Sequence, residues 1–113
     1  MTKESPGKGL GEDFPCKFVP GQIIHHKKYD YLGVIFDVDD SCKANEEWYQ
    51  SNQSQPKRNQ PWYHVLVDGE SQTTYVAEEN LELALDPEPI DHPMVEQFFT
   101  EFDGERYIRE FQA

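Results

Sequence analysis

The stretch from Gln60 to Gly69 carries the densest two-residue alternation in the chain. Trp62, His64, Leu66 and Asp68 fall on one parity; Tyr63, Val65 and Val67 fall on the other. Side chains of a strand alternate between the two faces of its sheet. Aromatic and β-branched residues in such a run, opened by Pro61 and closed by Asp68-Gly69, predict a strand entering a hairpin. Pro61 fits the first strand position, where no ladder donor is needed. Both faces are apolar, so the strand must be covered on both sides and sit inside a small closed or rolled β structure.

The rest of the chain supplies partners for it. Period-two patterns separated by turn residues predict strands near 22–27, 32–38, 62–68, 73–77 and 82–85. Pro20-Gly21 opens the first strand, and Tyr29-Asp30-Tyr31 turns it back, Asp being a residue type that tolerates a left-handed conformation. Gly33 inside the second strand predicts a bulge or a close backbone approach. A helix is expected over 43–50, capped by Asp40 or Ser41, with Trp48 covering one end of the barrel. A polar loop over 51–60 follows it. His92-Pro93, with Asp91 as cap, opens a short helix with Met94, Val95, Phe98 and Phe99 on one face. Phe102, Tyr107, Ile108 and Phe111 come after it, either packing back on the barrel or facing a partner. The expected fold is mainly β: a small five-stranded antiparallel SH3-like barrel with one inserted short helix and a short C-terminal helix. Its expected core includes Ile24, Val34, Phe36, Tyr63, Val65, Val67, Tyr75 and Leu81. Residues 1–17, rich in Gly, Pro, Lys and Glu, are expected to form a flexible leader, and 18–113 the domain with its C-terminal extension.

Charge narrows the partners. The 113 residues carry a net −12, and residues 78–113 hold eleven carboxylates against two cations. Such an imbalance repels nucleic acid and anionic membranes and favours basic partners. No stretch approaches the ~20 apolar residues of a membrane span, and the N-terminus lacks the apolar run of a signal peptide. A cytoplasmic location is expected, with a nuclear one as the alternative, and Cys16 and Cys42 are expected to be free thiols.

Catalytic and metal motifs are sparse. His25 and His26, adjacent on a strand, point to opposite faces and cannot chelate one ion together. Asp37-Val38-Asp39-Asp40-Ser41 begins like a calcium loop, but its sixth position is Cys42 rather than Gly and its twelfth is Trp48 rather than Glu. No nucleophile elbow, P-loop or dinucleotide fingerprint occurs. No catalytic residue, metal ligand or cofactor is assigned. Two binding surfaces remain. His25, His26, Lys27 and Lys28 at one strand end, with Lys57 and Arg58 in the long loop, form a basic set suited to a small nucleic-acid or peptide surface. Tyr29, Tyr31, Trp62, Phe102 and Tyr107 form an aromatic set with the composition of a protein-binding hot spot.

The order of the segments resembles a known family. Gly21-Gln22 with His25, Tyr31-Leu32-Gly33-Val34-Ile35, Asp37-Val38-Asp39, Pro61-Trp62-Tyr63-His64-Val65-Leu66-Val67 and Thr74-Tyr75-Val76-Ala77-Glu78-Glu79-Asn80-Leu81 are similar to the YccV-like domain. That family is also called the hemimethylated-DNA-binding domain and includes the heat-shock protein HspQ. The resemblance covers about Phe18 to Leu85. Cys42-Lys43-Ala44 through Glu47-Trp48, and His92-Pro93 through Tyr107-Ile108, look like the version fused to F-box proteins in eukaryotes. One departure is Asp30, where the family usually has Gly. The resemblance implies a small barrel without catalytic residues. It also implies a role in protein turnover through a protease, ubiquitin-ligase component or client, or hemimethylated-DNA binding.

Overall fold

A computed structural model describes residues 16–51 and 55–109. Of the expected leader, only Cys16 and Lys17 lie among them, and Phe111 lies outside. Five strands form one antiparallel sheet: β1 (Ile23–His26), β2 (Leu32–Asp39), β3 (Trp62–Val67), β4 (Thr73–Ala77) and β5 (Leu81–Leu83). Their order is β4-β3-β2-β1-β5, so β3 is an interior strand flanked by β2 and β4, as its two apolar faces require. A single 3-10 turn over Glu78–Asn80 joins the two edge strands and curls the sheet into a small SH3-like barrel. Helix α1 (Glu46–Ser51) is inserted between β2 and β3, and α2 (Val95–Phe98) follows β5. Strands β6 (Glu101–Phe102) and β7 (Tyr107–Ile108) pair as a hairpin that the sequence pattern did not reveal.

Three apolar clusters hold this arrangement. Phe18, Ile24, Ile35, Tyr63, Val65, Val76 and Leu81 fill the concave side. Ile23, Val34 and Leu66 face the other way, where Ile90, Phe99 and Tyr107 cover them. The C-terminal segment therefore packs back on the barrel. Tyr107 N–H donates to the Gly21 carbonyl at 2.8 Å, and Gly69 N–H donates to the Asp91 carbonyl at 2.8 Å. Cys42, Trp62 and Ala77 form the third cluster, under the insertion.

Ile24, Val34, Tyr63, Val65, Val67 and Leu81 of the expected core are buried, Phe36 and Tyr75 only partly so, and register shows which face each joins. Val34 lies directly across from Leu66, so it shares the outer face of Leu66 rather than the inner face of Tyr63. Phe36 is the extra residue where the ladder shifts between Ile35 and Asp37, and its half-buried ring packs on Phe98 at 4.7 Å. Tyr75 lies across from His64 and joins the cluster beneath the insertion. The bulge thus falls at Phe36, not at Gly33. Gly33 is instead a close approach: a Cβ there would stand 2.5 Å from Val65 Cγ1 and 2.6 Å from the Leu66 carbonyl oxygen. Helix α1 starts three residues later than expected because Asn45, not Asp40 or Ser41, caps it, its Oδ1 accepting from Trp48 N–H at 2.8 Å.

Candidate functional site

A groove of about 500 Å³ runs along β4, between the β1–β2 turn and the α1 insertion. The turn is built around His26, which is buried. Its Nδ1 accepts from the backbone N–H groups of Lys28 at 3.1 Å and Tyr29 at 3.0 Å. An acceptor nitrogen carries no proton, so the ring is neutral; burial also holds its pKa below the usual histidine value. Asp30 completes the turn at φ 58°, the left-handed conformation expected of it. The His26 ring then lies against Tyr29 at 4.7 Å and Tyr31 at 5.0 Å. Tyr31 shares a 2.7 Å hydrogen bond with Thr74 Oγ1, which fixes this wall to β4.

The insertion makes the opposite wall. Tyr49 Oη donates to the Pro56 carbonyl at 2.7 Å, closing the loop. Arg58 lies over the Tyr49 ring at 4.7 Å and donates to the Ala44 carbonyl. Trp48 stands edge-on to Tyr75 at 5.8 Å and to Trp62 at 6.1 Å. It keeps 38% of its surface exposed, so it forms a side of the groove rather than a sealed barrel end. Tyr75 is the hub: its hydroxyl donates to Asp39 Oδ2 at 2.7 Å and accepts from Lys43 N–H at 3.0 Å. Burial and the Asp39 carboxylate both push the Tyr75 phenol well above its ordinary pKa, so it stays a donor. His64 Nε2 reaches the same carboxylate oxygen at 3.2 Å.

The aromatic set expected from sequence divides. Tyr29, Tyr31 and Trp62 meet at this groove, with Tyr29 exposed, Tyr31 half-buried and Trp62 wholly buried as part of its floor. Phe102 and Tyr107 lie in the β6–β7 hairpin instead. Tyr107 is buried, its hydroxyl accepting from Ile90 N–H at 2.9 Å, and half-buried Phe102 packs on it at 5.0 Å. Their rings serve the fold and do not join Tyr29 and Tyr31 in one surface. Trp48, Tyr75 and the threonines of β4 are groove residues that composition did not single out. The signal for Tyr75 was its position across the hairpin from His64.

The basic set divides further. His25 Nε2 is 2.6 Å from Asp30 Oδ1 and its Nδ1 is 2.8 Å from Glu82 Oε2, so two carboxylates surround any charge it carries. His26 is neutral. Arg58 is engaged by Tyr49, by the Ala44 carbonyl and by Glu46 at 3.6 Å. Lys27, Lys28 and Lys57 are exposed and have no ion-pair partner among the described residues. Cys16 is exposed, Cys42 is buried, and no disulfide joins them. Among the described residues no group of three or more His, Cys, Asp or Glu side chains is arranged to hold a metal ion, and no helix is long and apolar enough to cross a membrane.

The family model described as hemimethylated DNA-binding protein YccV like matches residues 16–106. The chain belongs to the YccV-like family. The match takes in the whole five-stranded barrel, the insertion, α2 and β6. Within it, Asp30 adopts the left-handed conformation expected of the β1–β2 turn, at φ 58°. This YccV-like chain is also similar to F-box only protein 21. It is 42% identical over 91 residues to the Homo sapiens protein and 42% identical to that of Pongo abelii. The Mus musculus protein is 41% identical over the same length. The similarity covers 78% of this chain and 14% of those proteins, so the chain spans a small part of the relatives' length. No solved structure matches it.

Proposed function

We propose that residues 18–113 act as a non-catalytic protein-binding module serving protein turnover in the cytoplasm or nucleus. The observation that carries this reading is how the two surfaces fare once folded. Tyr29, Tyr31, Trp48 and Tyr75 converge on one groove, whereas the basic set keeps three unengaged lysines. Aromatic side chains in a cleft supply binding energy to protein partners. DNA affinity needs several cations placed on phosphates, each contact adding about −0.9 to the salt slope. Similarity to F-box only protein 21 supports the turnover link, and a ubiquitin-ligase component, a protease or a client protein is the partner class.

The family's description as hemimethylated DNA-binding favours a second reading, and one experiment separates the two. A hemimethylated duplex is titrated with the protein between roughly 50 and 200 mM salt. The expected result is binding weaker than about 10 μM at ~150 mM salt, with a slope no steeper than about −3. Micromolar or tighter binding that disappears in the Lys27→Glu, Lys28→Glu double variant would overturn the protein-binding reading. Retained capture of a ubiquitin-ligase component or protease by that variant, lost with Tyr29→Ala, Tyr31→Ala, is the matching positive result.

A further inference from the structure

We propose that the free edge of β4 takes an extended basic segment of a partner protein as an added strand, with rings on both faces of the sheet gripping its alternate side chains. This rests on the protein-binding reading above and specifies how the partner is held. β4 ends the sheet. Val67 N–H donates to the Gln72 carbonyl and Glu78 N–H to the Pro61 carbonyl. In an antiparallel ladder bonded pairs alternate with unbonded ones. Gln72, Thr74, Val76 and Glu78 therefore turn their backbone groups towards β3. Thr73, Tyr75 and Ala77 turn theirs outward, and nothing else among the described residues bonds to them. That is a ready template for a further strand.

Edges not meant for pairing carry charges, prolines or bulges. The other edge strand, β5, is short, holds Glu82 and runs into Asp86 and Pro87. β4 reads Thr-Thr-Tyr-Val-Ala, with no charge, proline or register shift. The groove flanks it on both faces. Thr74 and Val76 share a face with Tyr31, which bonds Thr74, and Tyr29, stacked on the His26 ring, lines the same groove. Tyr75 shares the opposite face with Trp48. Side chains of an added strand alternate between these two walls, and β-branched or aromatic residues suit both.

Charge selects the occupant. A second copy of this chain brings another −12 and is repelled. Exposed Glu70 precedes β4 and exposed Glu79 follows it, while Glu78 is held by the Tyr63 hydroxyl and Lys17 N–H, so an available carboxylate stands just beyond each end of the strand. Lys28 and Lys57, next in sequence to Tyr29 and Pro56, only partly offset them. A strand of about five residues with basic flanks is the complementary ligand.

The test uses the 113-residue protein and a synthetic peptide of alternating valine and tyrosine with two lysines at each end. Amide exchange is followed by NMR. Exchange at Thr73 and Tyr75 is expected to slow at least tenfold on binding, with Thr74 and Val76 unchanged. Thr73→Pro removes an outward N–H without touching a ladder bond and is expected to weaken binding about tenfold while leaving the thermal melt intact. Glutamate in place of the lysines should abolish it. Binding without the alternating protection, or binding unaffected by Thr73→Pro, overturns strand addition. A dimer in sedimentation that Thr73→Pro dissociates overturns the basic occupant in favour of a second copy. In either case capture of a turnover partner through Tyr29 and Tyr31 would leave the broader proposal standing.

Discussion

Asp30, in its left-handed conformation, holds Oδ1 2.6 Å from His25 Nε2 and so ties the β1–β2 turn to the strand it has just left. Glu82 on β5 takes the other ring nitrogen at 2.8 Å. Donating to both requires two N–H groups, which only the imidazolium has. The hydrogen bond to Asp30, and then that to Glu82, raise the His25 pKa above 6.5. His26, one residue on, is pulled the other way, chiefly by burial.

The two neighbours therefore give opposite pH dependences. His25 has a folded value above its unfolded one, so its contribution is complete below about pH 6.5 and fades as pH rises through the raised value. His26 has a depressed folded value, so the unfolded state binds the proton more readily and stability falls as pH drops from about 6.5 towards that value. NMR titration should separate the two histidines on either side of the ordinary value. Asp30→Asn should move His25 down and leave His26 in place. If His25 titrates unchanged in Asp30→Asn, the clamp is not formed in solution.

Two glycines should respond very differently to alanine. At Gly33 the new methyl meets Val65 Cγ1 and the Leu66 carbonyl inside the barrel, both nearer than any real Cβ approaches. Gly33→Ala should cost about 1–3 kcal/mol through overpacking, or more if β3 cannot shift. Gly69 has φ 81° in the β3–β4 turn with nothing within 4 Å of its missing Cβ. Gly69→Ala then carries only the left-handed penalty of about 1 kcal/mol. Chemical denaturation of both variants is the check, and equal losses would refute the contact at Gly33.

The tryptophans make a second contrast. Trp62 is wholly buried between Ala77, Cys42 and the insertion, with Nε1 donating to the Lys57 carbonyl at 3.2 Å. Trp62→Ala should cost about 3–5 kcal/mol. Trp48 is partly exposed, so Trp48→Ala should cost about 1–2 kcal/mol, less than an end-sealing role demands. Its effect should fall instead on ligand affinity at the groove. A Trp48 variant that melts like Trp62→Ala would restore the sealing role.

These contrasts trace what the sequence could and could not disclose. The five strands, the turn at Asp30 and the two-sided burial of β3 were legible because period-two patterning and turn chemistry act within a few residues. Which face Val34, Phe36 and Tyr75 joined was not legible. A residue's face follows from its cross-strand partner, and the extra residue at Phe36 changes the alternation in a way that no local pattern announces. The groove was half visible. Tyr29, Tyr31 and Trp62 were readable as an aromatic set, but the closure that brings Trp48 to Tyr75 depends on how the insertion folds over β3. The basic set shows the same limit: charge is countable in a sequence, while its engagement by Asp30, Glu82 or Tyr49 is a property of the fold.

Arg58 is where engagement is most open to test. It stacks on Tyr49, donates to the Ala44 carbonyl and faces Glu46, so it braces the two ends of the insertion against each other. A guanidinium does this through its flat face and its fork of donors, which an ammonium lacks. Arg58→Lys keeps the charge and removes the brace. It should lower stability by about 1 kcal/mol and shift Trp48 emission as the α1 wall loosens, while leaving any affinity for duplex DNA unchanged. Arg58→Met should repeat both structural effects, because neither depends on charge alone. If Arg58 were instead a phosphate contact, Arg58→Lys would preserve stability and Trp48 emission, and Arg58→Met would weaken DNA binding and flatten its salt slope by about one.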